Sequence, residues 1–139
     1  MTEEAVVLDP SESDTSEDEI LPQVIAEAAW DVKALGLKVI DVRGLVSYAD
    51  FLVVCSGQSD RHVAAIASGI EKTLRPEKIR PLGVEGKEGG RWILIDYGDV
   101  VVHIFHDSER DVYGLDSLWS DAPELELEAP PGLERPAYS

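Results

Sequence analysis

The sequence predicts an α/β fold in which a mixed five-stranded sheet is packed with helices. Apolar residues switch along the chain between helical spacing and short strand-like runs. Two of the strongest runs flank a tight turn at 97–99, which predicts a hairpin and excludes a wholly parallel sheet. A chain of 139 residues is expected to form a single domain with one hydrophobic core.

The elements follow from apolar spacing and from the residues that interrupt it. Gly36 is expected to stop the first helix, and Ser59 or Asp60 to cap the second. The run 51–55 is apolar throughout, which is typical of a strand buried on both faces. Pro81 favours an edge position for its strand. The predicted elements are helix 22–35, strand 37–42, strand 51–55, helix 59–74, strand 79–84, strand 92–96, strand 100–105 and helix 109–119.

The formal net charge of −16 is concentrated at the two ends of the chain. Residues 1–19 hold eight acidic and no basic residues, and residues 120–139 hold five acidic residues and one basic residue. An acidic chain disfavours direct contact with DNA, RNA or anionic membranes, and it favours a basic protein partner. The composition predicts an acidic disordered tail at 1–20, a folded domain at 21–122 and a Pro/Glu-rich tail at 123–139.

Cysteine content and hydropathy predict a cytoplasmic setting. Cys55 is the single cysteine, so no internal disulfide can form, which favours a reducing compartment. No apolar run approaches the roughly 18 residues that span a bilayer. The acidic N-terminal sequence also differs from an Arg-rich organellar transit peptide.

One enzymatic interpretation rests on two short patterns. The segment Ser56–Ser59 joins a predicted strand to a helix, where backbone N–H groups can bind phosphate. It lacks the lysine of a P-loop, so a helix cap is the simpler interpretation of Ser59. Asp96 and Asp99 could hold Mg²⁺, although carboxylates at a tight turn commonly form turn hydrogen bonds. A nucleotidyltransferase-like enzyme that uses both patterns is therefore the alternative hypothesis.

The strand at 92–96 suggests a protein-binding surface instead. Alternation would place Trp92, Leu94 and Asp96 on one face, and Ile93, Ile95 and Tyr97 on the other. An exposed aromatic residue bordered by charges is typical of an interaction patch, while burial of Trp92 in the core is the competing interpretation. His103 interrupts the apolar strand 100–105, and it is interpreted as a solvent-facing or hydrogen-bonded imidazole.

Four stretches of the chain carry long, specific motifs: DFLVVCSGQSDRHV at 50–63, GVEG at 83–86, RWILIDYGDVVVHIF at 91–105 and RDVYGLDSLW at 110–119. Together they resemble the ribosomal silencing factor S (RsfS) family, also called Iojap. The resemblance covers roughly residues 22–122 in the correct order. Gly114 departs from the family pattern, which more often has a helix former there, and this is expected to loosen the last helix.

The resemblance implies a fold related to nucleotidyltransferases but no catalysis, cofactor or metal. It implies that the chain forms a homodimer and binds the fourteenth protein of the large ribosomal subunit. Bound there, the family blocks joining of the small subunit and lowers translation when nutrients are short. The residues that match the family's surface-forming hairpin, together with two further candidates for partner contact, are Trp92, Asp96, Tyr97, Asp99, Glu85 and His62.

Overall fold

The computed structural model describes residues 17–86, 89 and 91–136. Its elements, in chain order, are α1 (Glu17–Asp31), β1 (Leu35–Asp41), β2 (Phe51–Gly57), α2 (Asp60–Leu74), β3 (Gly83–Glu85), β4 (Trp92–Asp96), β5 (Val100–His106), α3 (Arg110–Tyr113) and α4 (Leu115–Leu118). Single 3₁₀ turns follow α2 and β5. In this part of the chain, no helix combines the length and apolar character needed to cross a membrane.

The five strands form one mixed sheet in the order β1–β2–β5–β4–β3. Strands β2 and β5 run parallel, whereas the other neighbouring pairs are antiparallel. The turn at 97–99 joins β4 to β5, with the Tyr97 N–H donating to the Val100 carbonyl at 2.9 Å. The predicted fold class and the predicted hairpin are therefore confirmed. Strand β3 lies at an edge, as predicted. It covers only Gly83–Glu85 instead of the predicted 79–84, so Pro81 precedes the strand rather than lying within it.

Helices α1 and α2 cover one face of the sheet and form the main core with it. Strand β2 is buried along its whole length, as its unbroken apolar run predicted. The predicted cap of α2 is also confirmed, because Ser59 Oγ accepts a hydrogen bond from the His62 N–H at 3.0 Å. Cys55 is fully buried on β2, and burial raises the pKa of its thiol to about 12. That environment keeps the thiol protonated and unreactive.

The first helix differs from its predicted bounds at both ends. It begins at Glu17 rather than Pro22, and its acidic first turn complements the positive end of the helix dipole. Arg43 forms ion pairs with Asp18 and Glu19, so these two acids belong to the folded part. Residues 17–20 are thus helical rather than part of a tail, and residues 1–16 lie outside the described residues.

The end of α1 is set by a residue other than the predicted Gly36. Lys33 takes the left-handed conformation (φ +65°), and the Ala34 N–H donates back to the Ala29 carbonyl at 3.0 Å. This hydrogen bond closes the last turn in the manner of a Schellman motif. The chain therefore leaves the helix several residues earlier and enters β1 at Leu35, where an extension of the helix to 35 was expected.

The C-terminal segment 123–136 packs on the domain, in contrast to the tail predicted from its composition. It runs along the outer edge of β1, where the Asp41 N–H donates to the Pro123 carbonyl at 2.8 Å. The Leu125 N–H donates to the Val39 carbonyl at 2.9 Å. The side chains of Leu125, Leu127 and Leu133 pack against the main core. This segment covers backbone groups that an edge strand would otherwise expose.

The last predicted helix is divided into short pieces. Gly114 takes a left-handed conformation (φ +72°) and separates α3 from α4, so one helix over 109–119 does not form. The loosening expected at Gly114 is therefore confirmed in a stronger form. Residues from this region, including Leu115 and Trp119, lie over the second face of the sheet. They cover that face incompletely, and this leaves a candidate site exposed.

Candidate partner-binding site

Strand β4 presents opposite surfaces to the two sides of the sheet. Ile93 and Ile95 are fully buried under the helices, whereas Trp92, Leu94 and Asp96 on the other face are partly exposed. This is the alternation expected from the sequence. The outer face of β4 is thus a surface on which a large indole is accessible.

Trp92 is the centre of an aromatic cluster on this outer face. Its ring centroid lies 5.1 Å from that of Phe105 and 4.3 Å from that of Tyr113. Phe105 lies directly opposite Trp92 in the β4–β5 pairing, and Tyr113 reaches the cluster from α3. Packing on two sides restricts the indole, while Tyr113 itself is 41% exposed. Sequence reasoning missed both residues. The register of the predicted hairpin could have placed Phe105 opposite Trp92, whereas no spacing along the chain shows that Tyr113 reaches the cluster.

His103 provides a polar contact for the same indole. The Trp92 Nε1–H donates to His103 Nδ1 at 3.1 Å. Burial lowers the pKa of His103 to about 4, so its imidazole is neutral near pH 7. Since Nδ1 accepts, the proton of the neutral ring lies on Nε2. The sequence marked His103 through its interruption of an apolar strand, and the structure selects the hydrogen-bonded interpretation.

A shallow recess of about 200 Å³ adjoins the indole. It is lined by Glu85 and Gly86 at the end of β3 and by Trp92 and Leu94 of β4. Gly86 has φ +87°, and a Cβ there would collide with the Trp92 carbonyl oxygen. The recess therefore depends on glycine at 86. Glu85 is exposed, so an apolar recess carries a carboxylate at its rim.

The two aspartates of the hairpin lie at the other end of β4 from Trp92. Asp96 is four residue steps along the strand from Trp92, which corresponds to roughly 13 Å. Asp96 Oδ1 accepts from the Gly98 N–H at 2.8 Å, and the Asp99 carbonyl accepts from the Asp50 N–H at 2.7 Å. The Asp96 side chain therefore stabilises the turn, and the main-chain carbonyl of Asp99 joins the turn to the start of β2. The Asp99 carboxylate is exposed, but Glu85 is the acid that lines the recess beside Trp92.

Tyr97 lies on the opposite side of the sheet from Trp92. Only 9% of its surface is exposed, and its ring belongs to the main core. Its buried hydroxyl has no hydrogen-bond partner among the described residues. Burial, with a further contribution from the charge of Glu71, raises its pKa to about 12. The alternation predicted for the strand therefore extends to Tyr97, which faces away from Trp92. Its burial does not support the partner contact that the resemblance implied for it.

His62 also lies away from the aromatic cluster, on the helical side of the sheet. Its Nδ1 accepts from the Gln58 N–H at 2.9 Å, and its Nε2 lies 2.6 Å from the Val32 carbonyl oxygen. These contacts tie the start of α2 to the chain that follows α1. Both ring nitrogens are occupied, so the geometry gives His62 a structural role rather than the predicted partner contact.

The residues of the enzymatic alternative are engaged in structural contacts. Ser56 is fully buried, donates to Asp107 and accepts from Arg110 Nη1 at 3.2 Å. Arg110 is 1% exposed and also donates to Asp116. Within residues 17–86, 89 and 91–136, no group of three or more His, Cys, Asp or Glu side chains could hold a metal ion. Ser59 and Asp96 have the cap and turn roles described above.

Comparisons with known proteins agree on one family. The family model for "Ribosomal silencing factor during starvation" matches residues 13–138, which is wider than the stretch 22–122 that resembled it. The chain is 44% identical over 108 residues to the ribosomal silencing factor RsfS of Halalkalibacterium halodurans, covering 78% of this chain and 92% of that protein. It is 40% identical over 106 residues to RsfS of Bacillus subtilis, covering 76% and 90%.

A solved structure shares the fold. A crystal structure of a protein from Bacillus halodurans superposes with a TM-score of 0.69 at 40% identity. The superposition covers 77% of this chain and 97% of that one. The mixed sheet and its helices are therefore an architecture that is already represented among crystal structures.

Proposed function

The chain belongs to the ribosomal silencing factor family, and from this we propose that it represses translation by binding the large ribosomal subunit. Its partner there is the fourteenth protein of that subunit, at the face where the small subunit docks. Bound protein then occupies that face and blocks subunit joining when nutrients are short. Family membership supports regulation rather than catalysis.

The observation that carries this proposal is the partly exposed indole of Trp92 on the incompletely covered face of the sheet. Large aromatic residues held by neighbouring rings commonly contribute most of the binding free energy at protein interfaces. Leu94 extends the apolar surface, and Val112 on α3 is 74% exposed. A protein partner that covers this patch would remove it from water.

The charge of the proposed binding surface indicates the chemistry of the partner. Most of the formal charge of −16 lies at the two ends of the chain, but the recess beside Trp92 has the exposed carboxylate of Glu85 at its rim. Such a surface repels the phosphates of ribosomal RNA and attracts Lys and Arg side chains. A basic ribosomal protein fits this pattern better than RNA does.

Co-sedimentation with purified bacterial large subunits tests the proposed surface. Trp92→Ala is expected to weaken binding by about 1–3 kcal/mol, because it removes the anchor of the patch. Tyr48→Ala is the matched control, since Tyr48 is 61% exposed in the β1–β2 loop and lies outside the cluster. Wild-type affinity in a folded Trp92→Ala variant would contradict the assignment of this surface.

The same samples test the proposed block of subunit joining. Adding small subunits to wild-type complexes is expected to leave the two subunits apart in a sucrose gradient. The Trp92→Ala variant is expected to permit joining at equal protein concentration. Binding without any effect on joining would support a ribosome-associated protein but contradict a silencing factor.

The resemblance also supports a homodimer as the form of the free protein. Sedimentation equilibrium of the chain alone measures this directly, and a single species of 15.2 kDa at all concentrations would contradict it.

A further inference from the structure

The indole N–H of Trp92 is already used inside the protein. It donates to His103 Nδ1 at 3.1 Å, and both groups lie on the outer face of neighbouring strands. Exposed Trp residues at interfaces often use this N–H to bind the partner. At Trp92 that use would require breaking an existing hydrogen bond and leaving a buried acceptor unsatisfied.

The acceptor is held firmly in place. His103 is only 7% exposed and stands on β5 directly opposite Leu94. Its ring is stacked within 9° of the plane of Phe105, which itself packs on Trp92. The surroundings keep the imidazole neutral, so Nδ1 stays an acceptor near pH 7. His103 is thus part of a rigid support on which the indole rests.

We propose that His103 is a positioning residue for partner binding: by accepting the Trp92 Nε1–H it fixes the indole, so that the partner meets only the ring surface. This inference rests on the function proposed above. The ring surface and Leu94 line the recess, and Glu85 stands at its rim. Such a recess accepts the aliphatic part of one Lys or Arg side chain, with its cation near the ring and the carboxylate.

Two substitutions separate hydrogen bonding from packing at this position. His103→Leu replaces the imidazole with an apolar side chain of similar reach and so removes the Nδ1 acceptor. His103→Asn keeps an acceptor close to the position of Nδ1. His103→Leu is expected to weaken binding to purified large subunits about fivefold to tenfold, the usual loss for one hydrogen bond that orders a contact. His103→Asn is expected to restore most of that loss.

The indole proton gives a spectroscopic readout that is independent of binding. In ¹⁵N-labelled protein the three tryptophans give three indole signals, and Trp92→Phe identifies the one that belongs to Trp92. Trp119 Nε1 has no hydrogen-bond partner within the described part of the chain, so its signal serves as an unbonded reference. The Nε1–H signal of Trp92 is expected at a downfield chemical shift in wild type and in His103→Asn. In His103→Leu the same signal is expected to move upfield.

A double-mutant cycle tests whether the two residues act as one unit. In a Trp92→Phe background there is no indole N–H, so adding His103→Leu is expected to cause no further loss of binding. Loss of the same size in both backgrounds would overturn the proposal, as would equal binding by His103→Leu and wild type. Equal weakening by His103→Leu and His103→Asn would assign the effect to packing and also overturn it.

Failure of this proposal is distinguishable from failure of the proposed function. If Trp92→Ala binds large subunits as wild type does, the surface itself is wrong. If Trp92→Ala loses binding while both His103 variants retain it, the surface stands and the positioning role of His103 is excluded.

Discussion

The two faces of strand β4 share one backbone but differ in what covers them. On the helical face, Ile93 and Ile95 are fully buried in the main core. On the outer face, Trp92 and Leu94 belong to a smaller cluster that the C-terminal turns cover only in part. The helical face is therefore closed and stabilises the domain. The outer face is open, and in the proposed function its aromatic surface binds the partner. Substitutions at adjacent positions of β4 should therefore affect different properties, namely the free energy of unfolding on the helical face and partner binding on the outer face.

The largest expected effect is the contrast between Ile95→Ala and Leu94→Ala. Ile95→Ala leaves a cavity in a fully buried position and should lower the free energy of unfolding by about 2–4 kcal/mol. Leu94→Ala should cost less than about 1.5 kcal/mol, since its side chain is half-buried, but it should weaken large-subunit binding. Urea unfolding and co-sedimentation measure the two quantities separately.

This contrast would be contradicted if Ile95→Ala and Leu94→Ala each lowered both the free energy of unfolding and the affinity for large subunits to a similar extent. That outcome would mean that the two faces are coupled through the strand, and that the open face contributes to folding as strongly as the closed one.

Lowering the pH should reduce the stability of the protein through the buried imidazole of His103 on the open face. His103 has a pKa of about 4 in the folded chain, below the unfolded value of about 6.5, so the unfolded state binds the proton first. Stability contributed by the neutral ring is therefore full above pH 6.5 and falls as the pH drops toward 4. The expected loss from this group is about 2 kcal/mol by pH 5.

Comparing wild type with His103→Leu between pH 7 and 4.5 isolates this contribution from that of the other two histidines. The stability of the variant should depend less on pH across that interval. Asp116 titrates in a lower window, because hydrogen bonds from Arg110 and Lys38 overcome the opposing effect of burial and lower its pKa to about 2. Identical pH profiles for the two proteins would contradict the buried, neutral assignment of His103.

Local patterns predicted β1, β2, β4 and β5 to within two residues, whereas β3 is shorter than the strand expected at 79–84. They also predicted the alternation of β4, because side-chain direction in a strand depends only on position. They could not show that Tyr113 meets Trp92, since that contact depends on how α3 folds back over the sheet. The contact of His103 with Trp92 depends on the register of the β4–β5 hairpin, which places His103 opposite Leu94.

The tail predicted at 123–139 differs from the structure, which packs residues 123–136 on the domain, for a related reason. Acidic and proline-rich composition hid the alternating Leu125 and Leu127, which pack against the main core.

The smallest expected effect concerns Tyr97, whose inward position separates it from the proposed interface. Tyr97→Phe removes a buried hydroxyl that has no hydrogen-bond partner among the described residues. An unsatisfied buried polar group is unfavourable, so the free energy of unfolding should stay unchanged or rise by up to about 1 kcal/mol. Binding to large subunits should equal that of wild type, because the hydroxyl lies on the closed face. Trp92→Phe, a comparably small change on the open face, should lose affinity in the same assay. A Tyr97→Phe variant that folds normally but binds weakly would place the partner on both faces, and the division between a stabilising face and a binding face would then be wrong.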